Sequence, residues 1–141
     1  MFRSLGKVDI TGALETLATA HFLDTGGTNG WLADSTPFMK FIKSLPLPGV
    51  VTGVNVRLLP AHQGIPPHID PKFKSRKVIE RRFHIPLTSH EGVRMRWPDD
   101  GVEAHLEVGE LYEVDHHRLH EVINCAPVGR VHIVIDTAEA A

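Results

Sequence analysis

His68-Ile69-Asp70, a later His120 and, ten positions beyond it, Arg130 are the residues of this chain whose types and spacing could do chemistry. Two imidazoles and one carboxylate on one face of a divalent ion leave the opposite positions open, the facial arrangement that suits non-haem Fe(II), a cosubstrate and O2. On an extended segment, residues two apart project to the same side, so His68 and Asp70 can converge on one ion while Ile69 turns away into apolar packing. His120 opens an apolar segment after Gly109, where a hairpin turn is expected to return the chain beside the first pair. Arg130 adds a fixed cation. A guanidinium fork matches a carboxylate bidentately, so Arg130 is expected to hold the distal carboxylate of 2-oxoglutarate, with His84 as a second donor near it.

Strand alternation supports an interior anion site. It places Arg130, His132 and Val134 on one face with Val131, Ile133 and Ile135 on the other, and puts Arg82 and His84 together, opposite Phe83 and Ile85. Buried guanidinium groups need partners, and an anionic ligand would provide them. Rival readings exist for the same residues. Arg82 could pair with Glu80 or Glu110 on an exposed sheet face, and His84 and His132 could be half-buried histidines bonded to backbone. His116 and His117, in a loop, compete with His120 for the metal. Asp115 and Asn124 are expected to orient the metal-bound imidazoles by accepting their free N–H groups. Cys125 reads as a packed residue, since a soft thiolate selects other metals.

The elements that must position these groups divide at Gly49. Ile10, Leu14, Leu17, Ala18 and Phe22 recur with helical period and predict a first helix over Ile10 to Leu23. Asp24 to Gly30 is too glycine-rich for regular structure and reads as a loop carrying Trp31. Thr36-Pro37 starts a second helix, whose stripe of Phe38, Phe41, Ile42 and Leu45 is ended by Pro46 and Pro48. Beyond Gly49, β-branched segments alternate with turns. Strands are predicted at Val50 to Leu59, Val78 to Leu87, Val93 to Trp97, Val102 to Val108, Leu111 to Val114, His120 to Asn124 and Arg130 to Asp136. Two helices followed by such a run predict a mainly β fold, a cupin-like double-stranded β-helix or jelly roll over residues 49–136, supported by a helical segment over 1–48. Trp31, Arg94, Arg96, Trp97 and the Lys72 to Lys77 loop are candidates to line a substrate cleft.

A chain of 141 residues suits one domain. With 15 Lys+Arg against 17 Asp+Glu the net charge is -2, so no general attraction to nucleic acid or anionic membrane is expected, and a small-molecule or peptide substrate fits better. The single cysteine excludes an internal disulfide framework and, with no apolar run in Met1 to Ile10, predicts a reducing, cytoplasmic setting. No stretch is long enough to span a bilayer. Oligomeric state leaves no signature in this pattern.

Several of these segments, in this order, resemble the aspartyl/asparaginyl β-hydroxylase family of Fe(II)/2-oxoglutarate dioxygenases. The carriers are Val56-Arg-Leu-Leu-Pro60 leading to Pro67-His-Ile-Asp70, then Arg82-Phe-His-Ile-Pro-Leu87, Gly109-Glu110, His120-Glu-Val-Ile-Asn124 and Arg130-Val-His-Ile-Val-Ile-Asp136. The resemblance implies iron at His68, Asp70 and His120, and 2-oxoglutarate at Arg82, His84 and Arg130. It also implies hydroxylation of an amino-acid side chain, free or within a polypeptide, with O2 as oxidant. Some members lack the metal carboxylate, whereas Asp70 is present here. Two alternatives remain at this level: a cupin-like metal enzyme that does not use 2-oxoglutarate, and a non-catalytic jelly-roll binding or assembly protein.

Overall fold

The computed structural model describes residues 1–19, 36–74 and 77–139. The expected loop with Trp31, the end of the first helix and part of the Lys72 to Lys77 segment lie outside them. Three elements precede the β domain: strand β1 (Phe2–Lys7), helix α1 (Thr11–Thr19) and helix α2 (Thr36–Lys43). The strands that follow are β2 (Val50–Leu59), β3 (Gly64–His68), the short pair β4 (Phe73–Lys74) and β5 (Lys77–Val78), β6 (Arg81–Thr88), β7 (Val93–Trp97), β8 (Val102–Ala104), β9 (Glu110–Val114), β10 (His120–Asn124) and β11 (Arg130–Ala138). They form a five-stranded sheet ordered β1-β9-β6-β11-β2 and a four-stranded sheet ordered β3-β10-β7-β8, with antiparallel neighbours throughout. This is the expected jelly roll.

Alternation along β6 and β11 gives the five-stranded sheet two unlike faces. Phe83, Ile85 and Leu87 join Val131, Ile133 and Ile135, with Val54 and Val56 of β2, in an apolar cluster that Ala13 of α1 and Ile42 of α2 cover. Fully burying a side chain of this size stabilises by about 1.5–3 kcal/mol relative to leaving it exposed. Between the sheets a second cluster joins Tyr112 and Val114 of β9 to Met95, Trp97 and Val122 of the four-stranded sheet. Directly paired residues share a face. Register therefore puts Arg82 beside Val114 and Asp136, His84 beside Tyr112 and Val134, and Arg57 beside His132, all on the side that looks toward the second sheet.

Several local expectations are corrected. β1 is a strand inside the segment read as helical, and it completes the edge next to β9. In α1 it is Ala13 that is buried, while Leu14, expected on the buried stripe, is exposed. Strand β8 is shorter than its segment, because the chain leaves the sheet after Ala104. Gly109 takes φ +80° in the turn before β9, a conformation costly for other residues, but that turn carries the chain from one sheet to the other and is not the expected hairpin. Among the described residues no helix is long and apolar enough to cross a membrane.

Candidate metal centre

Two strands of the four-stranded sheet bring the triad together. β3 and β10 pair antiparallel with His68 directly opposite His120, and the two rings lie 4.3 Å apart between centroids. Asp70 follows the end of β3, where its backbone N–H donates to the His116 carbonyl at 3.0 Å. Its carboxylate lies 3.4 Å from Nε2 of His68 through Oδ1 and 3.4 Å from Nε2 of His120 through Oδ2. One ligand atom from each residue falls within 4.8 Å of the others.

The donor set fits a divalent cation. Nδ1 of His68 lies 2.8 Å from the Pro66 carbonyl and Nδ1 of His120 lies 2.8 Å from the Arg118 carbonyl. A carbonyl can only accept, so each Nδ1 carries the hydrogen, and the lone pair of each Nε2 turns toward the shared space. Burial pushes the Asp70 carboxyl up, but the hydrogen bond with His120 and the charges of Arg82, His120 and His68 outweigh it and hold the group ionised, well below the usual carboxylate range. Burial likewise opposes charge on His120, yet its contacts with Asp70 and the Arg118 carbonyl raise its pKa. A carboxylate that favours a proton on that ring favours a metal ion for the same reason.

Behind the triad lies a buried chain of charge. Arg82 donates from Nε and Nη2 to Asp136 at 2.7 and 3.1 Å, and from Nη1 to Asp70 at 2.9 Å. Asp136 is fully buried, and Arg82 nearly so. The pair fixes the metal carboxylate, which answers the rival reading of Arg82: neither Glu80 nor Glu110 is its partner. It also commits three guanidinium nitrogens to carboxylates of the protein.

Arg130 is placed differently. It is 2% exposed, its Nη1 lies 3.2 Å from Nδ1 of His132, and its Nε is buried without a hydrogen-bond partner among the described residues. His84 points Nδ1 at the same nitrogen of His132, 3.1 Å away. Since Arg130 can only donate, His132 Nδ1 is the acceptor and its hydrogen sits on the buried, unpartnered Nε2. Burial, and then the charge of Arg130, keeps both histidines neutral, with pKa values well below 6.5. Burial and the neighbouring Arg57 push Arg130 itself down to about 9, which leaves it charged at neutral pH. A cleft of about 360 Å³ connects Arg130 with His68, Asp70 and Arg82.

Other expected roles fall elsewhere. Asp115 and Asn124 do not orient the imidazoles; backbone carbonyls do. Asn124 instead ties the Leu59, Pro60 and Val128 carbonyls together, and Asp115 accepts from the His117 backbone and contacts Arg118. His116 and His117 stay outside the triad: His116 is buried beside the cavity and His117 reaches the Glu80 carbonyl. Cys125 is exposed rather than packed, and so is Ile69, because the chain leaves the sheet after His68. Arg94 and Arg96 pair with Glu103 at the surface, and Trp97 is a core residue donating to the Asp115 carbonyl, so none of the three lines the cleft. Two interior residues were not anticipated. Continuing the alternation of β11 past Val134 reaches Asp136, and that of β2 back from Leu59 reaches Arg57.

The family model for aspartyl/asparaginyl beta-hydroxylase matches residues 35–140, well over half of the chain. No curated protein matches the sequence. Among solved structures, a cupin domain from Bordetella pertussis Tohama I aligns at 18% identity with a TM-score of 0.48, covering 67% of this chain and 98% of that one.

Proposed function

Because the chain belongs to the aspartyl/asparaginyl β-hydroxylase family, we propose that it is an Fe(II)- and 2-oxoglutarate-dependent dioxygenase that hydroxylates an amino-acid side chain, free or in a peptide. The observation that carries this reading is the joint placement of three metal-ligand atoms within 4.8 Å and a buried guanidinium in the same cleft. His68, Asp70 and His120 would hold the iron. The chemistry iron supplies there is the coupling of 2-oxoglutarate decarboxylation, to succinate and carbon dioxide, with insertion of one oxygen atom of O2 into a C–H bond.

The chain's own part is binding and orientation. Arg130 takes the distal carboxylate of 2-oxoglutarate, His132 holds its Nη1, and His84 forms the neighbouring wall. Arg82 and Asp136 fix the Asp70 carboxylate so that both of its oxygens stay near the imidazoles. Leu58, Leu59, Ile65 and Ile79 give the cleft apolar walls beside the metal ligands. Incubation with Fe(II), 2-oxoglutarate and ascorbate should release succinate. A metal-loaded protein that fails to bind 2-oxoglutarate would reject the reading and favour a metal enzyme without that cosubstrate.

A further inference from the structure

Arg57 is the cation in this cleft that the proposed reaction does not use. It stands on β2 opposite His132, lines the cleft with Arg130, His68 and Asp70, and has a buried Nε with no hydrogen-bond partner among the described residues. No described carboxylate pairs with it. Its environment is charged on both sides: Arg82, Asp136 and Asp70 act on it from the metal end, and it acts on Arg130 at the other. Leu58, Ile65, Pro71 and Ile79 give the cleft apolar walls around these charges.

Charge balance then assigns it a ligand, on the basis of the cosubstrate reading above. Three guanidinium groups, Arg57, Arg82 and Arg130, share this interior with two carboxylates, Asp70 and Asp136, and Asp136 is committed to Arg82. A divalent metal adds two positive charges, and doubly charged 2-oxoglutarate removes two. One positive charge remains, and with Arg82 bound to Asp136 and Arg130 given to 2-oxoglutarate it falls on Arg57. Arg57 is half-buried, with its Nε enclosed and no carboxylate at ion-pair distance among the described residues, so a further monoanion is favoured there, and a guanidinium fork fits a carboxylate. We propose that Arg57 receives a carboxylate carried by the substrate, so that the enzyme selects an anionic substrate and Arg57 is a specificity-determining residue.

The test is a crystal structure of the Mn(II)-loaded protein with N-oxalylglycine, soaked in bromide, together with calorimetry on Arg57→Met and Arg130→Met. The expected result is an anomalous bromide peak on Arg57, lost in Arg57→Met, with the distal carboxylate of the analogue on Arg130. In solution, Arg57→Met should change the Kd of the analogue by less than about threefold, and Arg130→Met should raise it by about thirtyfold or more. An analogue carboxylate bridging Arg57 and Arg130, an Arg57 free of bromide, or equal loss of affinity in the two variants overturns the proposal. Failure of the cosubstrate reading looks different: the Mn(II)-loaded wild-type protein then takes up no N-oxalylglycine at all.

Discussion

The two faces of β6 and β11 are made by the same strands and do opposite work. On the outer face Phe83, Ile85, Ile133 and Ile135 are fully buried under the helices, with no polar atom to satisfy. On the inner face Arg82, His84, Arg130, His132 and Asp136 are nearly as buried, and two of their nitrogens, Nε of Arg130 and Nε2 of His132, lack hydrogen-bond partners among the described residues. Burial on the first face is a source of stability. On the second it is a cost that the first must offset, and what it produces is a preformed place for a cation and anions.

That contrast can be broken from either side. The largest effect should follow Phe83→Ala, which opens a cavity in the outer face and should cost about 3–5 kcal/mol in denaturant unfolding, while the fraction that stays folded binds metal normally. Arg130→Met should do the reverse. Stability should hold or rise, because an apolar side chain replaces a buried charge, while 2-oxoglutarate binding to the metal-loaded protein weakens by about 2–5 kcal/mol in calorimetry. A parallel loss of stability in that variant would dissolve the distinction between the faces.

Asp136→Asn sharpens the inner side. With only Asp70 left as a full carboxylate partner, Arg82 should hold the metal ligand less firmly, and Mn(II) affinity should fall about 10- to 100-fold in a competition titration. Unchanged affinity would show that Asp70 needs no such support.

Acid should act through the inner face as well. His84 and His132 have folded pKa values depressed below 6.5 by burial, so below 6.5 the unfolded chain binds more protons than the folded one. Stability from these rings is complete above 6.5 and falls as pH drops, by up to about 1.4 kcal/mol per pH unit for each. Unfolding curves at pH 7.5 and 5.5 should show the loss, and His132→Gln should reduce the slope; a flat profile would mean the rings already titrate in the folded state. The smallest effect belongs to neither face: Arg94→Ala, which loses a surface contact with Glu103, should change stability by no more than about 0.5 kcal/mol.

The division between faces was legible in the sequence, because polar and apolar residues alternate from Arg82 to Ile85 in β6 and from Arg130 to Asp136 in β11, with Val134 the exception. The triad was legible for a related reason: His68 and Asp70 are close in sequence, and His120 begins a strand that pairs with β3. What could not be read was support from the backbone. The Pro66 and Arg118 carbonyls that fix the imidazole tautomers carry no residue signature. Strand β1 was hidden because Arg3, Ser4, Gly6 and Lys7 show no apolar alternation; it exists by pairing with β9. Arg57 escaped notice because β2 is apolar around it, and only the register with His132 reveals that it faces inward.

The central claim is that His68, Asp70 and His120 form one divalent-metal site that a dicarboxylate completes. Calorimetric titration of Mn(II), and then of N-oxalylglycine, into wild-type protein and His68→Ala tests it most directly. The account predicts a single ion per chain, lost in the variant, and analogue binding that requires the ion. No stoichiometric uptake by the wild-type protein, or equal uptake by the variant, would contradict it.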